Sequence, residues 1–147
     1  VSILAGRAVA EAREWIGTPY RHQATVKGAG ADCLGVLRGV WRMLYGCEPE
    51  EVPPYTEDWS EPSGREDLMA AAARWLVRRS GREAHMGDVL LFRMQTGSVA
   101  KHLGILSVAG TAPRFIHAYT GHGVIESPLS LPWARRIVAR FHFPTGV

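Results

Sequence analysis

The strongest constraint on the fold of this 147-residue chain is a change of texture near Gly81. Before it, apolar residues recur at helical spacing; after it, they fall in short runs separated by glycine and proline, as in strands. Helices first and strands afterwards predict an α+β domain, its N-terminal helices packed on a mostly antiparallel sheet, because every parallel pair would need its own crossover. The length suits one domain over residues 1–147, and 46% hydrophobic residues can build one sizeable core.

The expected elements follow from caps and periodicity. Ser2 can cap a first helix over residues 2–16, with Leu4, Ala8, Ala12, Trp15 and Ile16 on one face and Gly17 and Pro19 ending it. A loop over residues 20–32 ends on the capping residue Asp32. A second helix over residues 33–45 carries the stripe Leu34, Leu37, Trp41, Leu44 and stops at Gly46. Inside it, Gly35 and Gly39 each sacrifice about 1 kcal/mol of helix propensity, which points to a close neighbour. Residues 46–63, rich in proline, read as a long surface excursion. A third helix over residues 65–79 rests on Leu68, Ala72, Trp75 and Leu76 and closes at Gly81, with Trp41 and Trp75 expected in the core. Strands are expected over residues 88–93, 102–108, 114–119, 124–126 and 137–143.

Seventeen Lys and Arg against 14 Asp and Glu give a net charge of +3, a mild excess. The arginines are scattered or grouped as Arg78–Arg79 and Arg135–Arg136, without the aromatic-interleaved basic stripe that binds strands, so no nucleic-acid partner is expected. No stretch approaches the ~20 apolar residues that span a bilayer, so no membrane insertion is expected. No signal peptide is recognisable, and the expectation is synthesis in the cytoplasm, with export by lysis or on a larger particle. Cys33 and Cys47 bracket one helix, roughly 20 Å apart at ~1.5 Å per residue, too far for a disulfide. Both thiols are expected to be free.

Cys33 falls at the first turn of the second helix, where unpaired N–H groups and the helix dipole favour a thiolate. Position alone leaves two readings open: a nucleophile, or a small buried hydrophobe. His102 and His117 lie on expected strands. Alternation puts His102 on the face of Gly104 and Leu106, and His117 on that of Phe115 and Tyr119, so the pair can meet on one side of a hairpin. Cysteine and two histidines then offer nucleophile, base and orienting group. Cys33, His102, His117 and His122 could instead ligate zinc, but no C-x2-C or H-x3-H pair is present and the spacing argues against a metal. No cofactor motif is present.

The segments Trp15-Ile16-Gly17-Thr18-Pro19-Tyr20, Asp32-Cys33-Leu34-Gly35, Gly87-Asp88-Val89-Leu90-Leu91-Phe92, His102-Leu103-Gly104-Ile105 and Phe115-Ile116-His117-Ala118 stand in the order found in the NlpC/P60 cysteine peptidases, which the chain resembles from its first helix to Phe143. The resemblance implies a papain-like α+β fold. It implies that Cys33 attacks an amide carbonyl, that His102 activates the thiol and protonates the leaving amine, and that His117 orients His102. Tyr20 would hold the substrate or its oxyanion together with the Cys33 N–H. His22 either lines the substrate cleft or sits in a loop. The implied substrate is the peptide stem of peptidoglycan, cut between D-γ-glutamate and meso-diaminopimelate.

Two departures stand out: Leu34 replaces the usual serine after the nucleophile, and His22-Gln23-Ala24 replaces the usual Trp-Gly-Gly. With Ala100-Lys101-His102 and Glu126-Ser127-Pro128-Leu129-Ser130-Leu131-Pro132-Trp133, they resemble the branch found with phage tails and gene transfer agents. That branch implies tail hub or baseplate partners and action on a target cell wall. Two alternatives accompany it: a catalytically idle tail-tip protein of the same fold, and an amidase or acyltransferase with the same nucleophile.

Overall fold

A computed structural model describes residues 2–59 and 61–145. Helix α1 spans Ile3–Glu14, and the Ser2 hydroxyl accepts from the Ala5 N–H at 3.0 Å, the cap expected of it. The following loop holds a small hairpin absent from the sequence reading, β1 (Thr25–Val26) with β2 (Gly30–Ala31). Helix α2, Cys33–Tyr45, begins on Asp32 and ends on Gly46.

The two glycines of α2 are there for close approach. A Cβ on Gly39 would sit 1.9 Å from the Trp15 ring, and one on Gly35 would sit 1.9 Å from the Ala24 carbonyl oxygen. The first contact docks α1 on α2; the second docks the hairpin loop beside the tip of α2.

Helix α3 is shorter than its apolar stripe predicts, Asp67–Trp75. Leu76 already has extended backbone, and Val77–Arg78 form β3, paired antiparallel with the last strand. Tertiary pairing thus captures a β-branched residue from the end of the helical pattern. Gly81 lies beyond that strand, and Trp75 is a surface residue whose ring N–H donates to Glu50.

Five further strands complete an antiparallel sheet: β4 (Val89–Arg93), β5 (Ala100–Val108), β6 (Arg114–Tyr119), β7 (Gly123–Pro128) and, after the short helix α4 (Leu131–Ala134), β8 (Ile137–His142). The strand order is β3-β8-β4-β5-β6-β7. Alternation along β4 explains why it reads as an unbroken apolar run. Val89 and Leu91 face α1 and α2 in the main core with Val36, Val40, Leu103, Ile105 and Phe141, while Leu90 and Phe92 face a second cluster with Leu106, Phe115 and Trp133. The buried Asp88 carboxylate takes a two-point contact from Arg79 at 2.7 and 2.8 Å and pins the start of β4 to the end of β3.

Residues 46–63 are the main correction to the sequence reading. The segment leaves α2 and returns over its tip, burying Trp59 and bringing the Tyr55 hydroxyl onto Asp32. Glu48 fastens its root, accepting from Arg38 at 2.6 Å and from Arg42 at 3.2 Å.

Candidate active site

The tip of α2 meets the sheet where two strands part. The β5–β6 ladder runs from Val108 opposite Arg114 to Ile105 opposite Ile116, and the paired register stops short of His102 and Leu103. Cys33 lies at this opening, where its sulfur receives the Leu103 N–H.

A cleft of about 210 Å³ is lined by Cys33, His102, Tyr20, His22, Asp32 and Tyr55, with Glu57, Trp59, Lys101, Tyr119 and Thr120 among its further walls. Cys33, His102, Tyr20 and His22 therefore share one cavity. His117 lies behind His102, its Nδ1 2.8 Å from His102 Nε2. The two histidines sit diagonally on one face of β5 and β6, as alternation predicts. Gly104 makes room for them, since a Cβ there would lie 2.7 Å from the Phe115 ring and 3.2 Å from His117 Cβ. His102 is 7% exposed and His117 1%. Because His102 Nε2 is engaged with His117, Nδ1 is its remaining ring nitrogen for chemistry in the cleft.

The charge state departs from the helix-tip expectation. Burial pushes the Cys33 thiol up to about 12, the Asp32 carboxylate adds to the rise, and the N–H groups of Leu103, Leu34 and Cys33 pull the other way without prevailing. Burial holds His102 down to about 3, with His117 contributing, and His117 down to about 4, with His122 contributing. At neutral pH the cleft thus holds a neutral thiol and a neutral imidazole. The helix dipole is outweighed because Cys33 is buried and the cap that organises the helix tip is itself an anion.

Asp32 holds the surroundings together. Its buried carboxylate accepts from the N–H of Gly35 and of Gln23, each at 2.7 Å, and from the Tyr55 hydroxyl. Burial, then the bond to Asp32, raises the Tyr55 phenol above its ordinary range. His22 Nε2 lies 2.8 Å from the Tyr55 carbonyl oxygen, so it donates there, and Tyr55 stacks on Trp59. Burial also raises Tyr20, against a hydrogen bond with the Thr120 side chain.

Tyr55, Glu57 and Trp59 line the cleft and Ser127 bonds His117 behind it, and sequence reasoning missed all four. For the first three a signal existed: two aromatic residues within a proline-rich, acidic stretch are out of place in a solvated excursion. Tyr55 and Trp59 also wall a larger groove of about 510 Å³ between α2, the 48–59 segment and α3, and Leu34 faces that groove. Cys33 is buried and Cys47 exposed, both as free thiols. Among the described residues, no three His, Cys, Asp or Glu side chains gather as a metal site.

A cysteine at a helix tip, sharing one cleft with a paired histidine on an antiparallel sheet, has the layout of a thiol hydrolase. The chain belongs to the NlpC/P60 family, whose profile matches residues 17–141. It is 29% identical over 134 aligned residues to proteins of Escherichia coli K12 and O157:H7 named murein DD-endopeptidase MepS/murein LD-carboxypeptidase, covering 86% of this chain and 60% of theirs. The chain thus spans about three fifths of the length of these curated relatives. An NLP/P60 family protein of Staphylococcus aureus, described as similar to lipoprotein, superposes with a TM-score of 0.61 at 20% identity, over 97% of this chain and 42% of that one. An NlpC/P60 family protein of Bacillus cereus superposes at 0.62 with 18% identity, over 95% and 40%. These likenesses share the α+β fold expected from the sequence.

Proposed function

We propose that this chain is a peptidoglycan peptidase that cleaves stem-peptide amide bonds by a thiol mechanism, and that it acts from a phage-like tail tip on a target cell wall. The observation that carries the chemistry is the Cys33–His102 cleft with His117 bonded behind it at 2.8 Å. Cys33 Sγ attacks the carbonyl carbon while its proton passes to His102 Nδ1. The tetrahedral oxyanion collapses to a thioester as His102 gives that proton to the leaving amine, and water activated by His102 then releases the acid. His117 orients His102, and Tyr20 with the Cys33 N–H supports the oxyanion. The tail-tip role, with hub or baseplate partners, is supported by the resemblance of the His22-Gln23-Ala24 and Glu126–Trp133 segments to that branch.

The preferred bond is D-γ-glutamyl–meso-diaminopimelate. The names of the Escherichia coli relatives favour a second reading, a DD-endopeptidase or LD-carboxypeptidase cut elsewhere in the same polymer. Mass spectrometry of muropeptides after incubation with the protein and with Cys33→Ala separates these readings. Stems shortened to their first two residues mark the first bond, dimers converted to monomers an endopeptidase at the cross-link, and loss of a single terminal residue a carboxypeptidase. Uncut peptidoglycan together with a Cys33 that no thiol probe labels would sink the enzyme reading. Normal DNA delivery by particles carrying Cys33→Ala would instead favour the idle tail-protein alternative.

A further inference from the structure

The hydrogen-bonded chain does not end at His117. Its Nε2 lies 3.0 Å from the Ser127 hydroxyl oxygen, on the neighbouring strand. Ser127 stands opposite Phe115 in the β6–β7 ladder, so it shares the face of His117 and reaches it diagonally. The residue before it is anchored from three sides. The Glu126 carboxylate accepts from the Ser107 hydroxyl at 2.6 Å and from Arg13 at 3.3 Å, and its carbonyl accepts from Arg114 at 3.0 Å.

We infer that Ser127 is a positioning residue that sets the proton order of the histidine pair. The inference rests on the reading of Cys33, His102 and His117 as the catalytic set. For His102 Nδ1 to take a proton from the thiol it must carry a lone pair, so the neutral ring bears its hydrogen on Nε2. That hydrogen points at His117 Nδ1, which must accept it, and His117 then bears its own hydrogen on Nε2. The chain closes only if Ser127 Oγ accepts that last N–H. Reversed, with Ser127 donating, each ring carries its hydrogen on Nδ1 and the base is blocked.

Removing the hydroxyl removes the acceptor that the productive order needs. In Ser127→Ala the Nδ1–H tautomer of His117 becomes populated and occupies His102 Nε2, placing the His102 hydrogen on Nδ1. The loss falls on the chemical step, because Ser127 lines no part of the cleft.

The experiment joins long-range proton–nitrogen spectra of histidine-labelled protein with steady-state kinetics on purified muropeptides. Wild type is expected to show His117 protonated at Nε2. Ser127→Ala is expected to lose that population and to lower kcat about 10- to 100-fold with little change in KM. Ser127→Thr, which keeps the hydroxyl on a β-favouring residue, is expected to restore both. A wild-type His117 protonated at Nδ1 would overturn the inference, and so would a Ser127→Ala protein that keeps its tautomer, whatever its rate. The tautomer is read without substrate. A wild type that cuts no peptidoglycan therefore refutes the proposed function while the spectra still decide the role of Ser127.

Discussion

Acidification tests the neutral resting pair directly. Burial, with His117 beside it, holds His102 down to about 3, against about 6.5 in an unfolded chain. Its folded-state pKa is depressed, so the unfolded chain takes up the proton first as pH falls. The stability carried by this side chain is full above about pH 6.5 and is lost as pH falls toward 3. Between pH 7 and pH 4 about 2.5 pH units lie inside that window, and at 1.36 kcal/mol per unit the loss is about 3 kcal/mol. Other groups titrate over the same range, so the assay is a difference. Urea unfolding is measured at both pH values for wild type and for His102→Gln, which keeps a polar side chain without the titration. Wild type should lose about 3 kcal/mol more than the variant, a shift of roughly 1–2 M in midpoint. Equal losses would refute burial as the dominant influence on His102. A reversed sign would mean that the protein rests as an imidazolium beside a thiolate.

Three other outcomes follow from the same geometry. In a Cys47→Ser background, alkylation of Cys33 by iodoacetamide should be slow at neutral pH and rise through pH 9, because the thiol is pushed up to about 12; a rate flat from pH 5 to 9 would contradict this. Gly104→Ala, whose Cβ would lie 2.7 Å from Phe115 and 3.2 Å from His117 Cβ, should destabilise by about 1–3 kcal/mol and lower kcat about tenfold or more, and wild-type kinetics would show that the histidine pair tolerates displacement. Tyr55→Phe strips a donor from the buried Asp32 and should cost about 1–3 kcal/mol in thermal or urea unfolding, whereas an unchanged midpoint would show that Asp32 needs only its backbone donors.

What was legible in the sequence is what local rules govern. The cap at Ser2, the stop at Gly46 and the helical stripes placed α1 and α2, and the costly Gly35 and Gly39 announced close neighbours that proved to be Ala24 and Trp15. Strand alternation put His102 and His117 on one side, where they bond. Non-local contacts hid the rest. Nothing near Val77 signals that β8 will claim it from the helix, and prolines around Tyr55 mark a surface path while its partner, Asp32, lies 23 residues away. Ser127 is one serine among several until the β6–β7 register sets it diagonal to His117. The charge of Cys33 was misjudged because counting N–H donors at a helix tip omits the desolvation that outweighs them.

The strap over residues 48–59 divides labour along the chain. Cys33, His102 and His117 stand on α2, β5 and β6, while Tyr55, Glu57 and Trp59, from a segment in neither helix nor sheet, form one wall of the cleft. Such a wall is fastened at a few points, chiefly Glu48 to Arg38 and Arg42 at its root and Tyr55 to Asp32 at its crest. On the proposed function, replacing Tyr55, Glu57 or Trp59 reshapes the wall of the cleft while leaving in place the strands that carry His102 and His117.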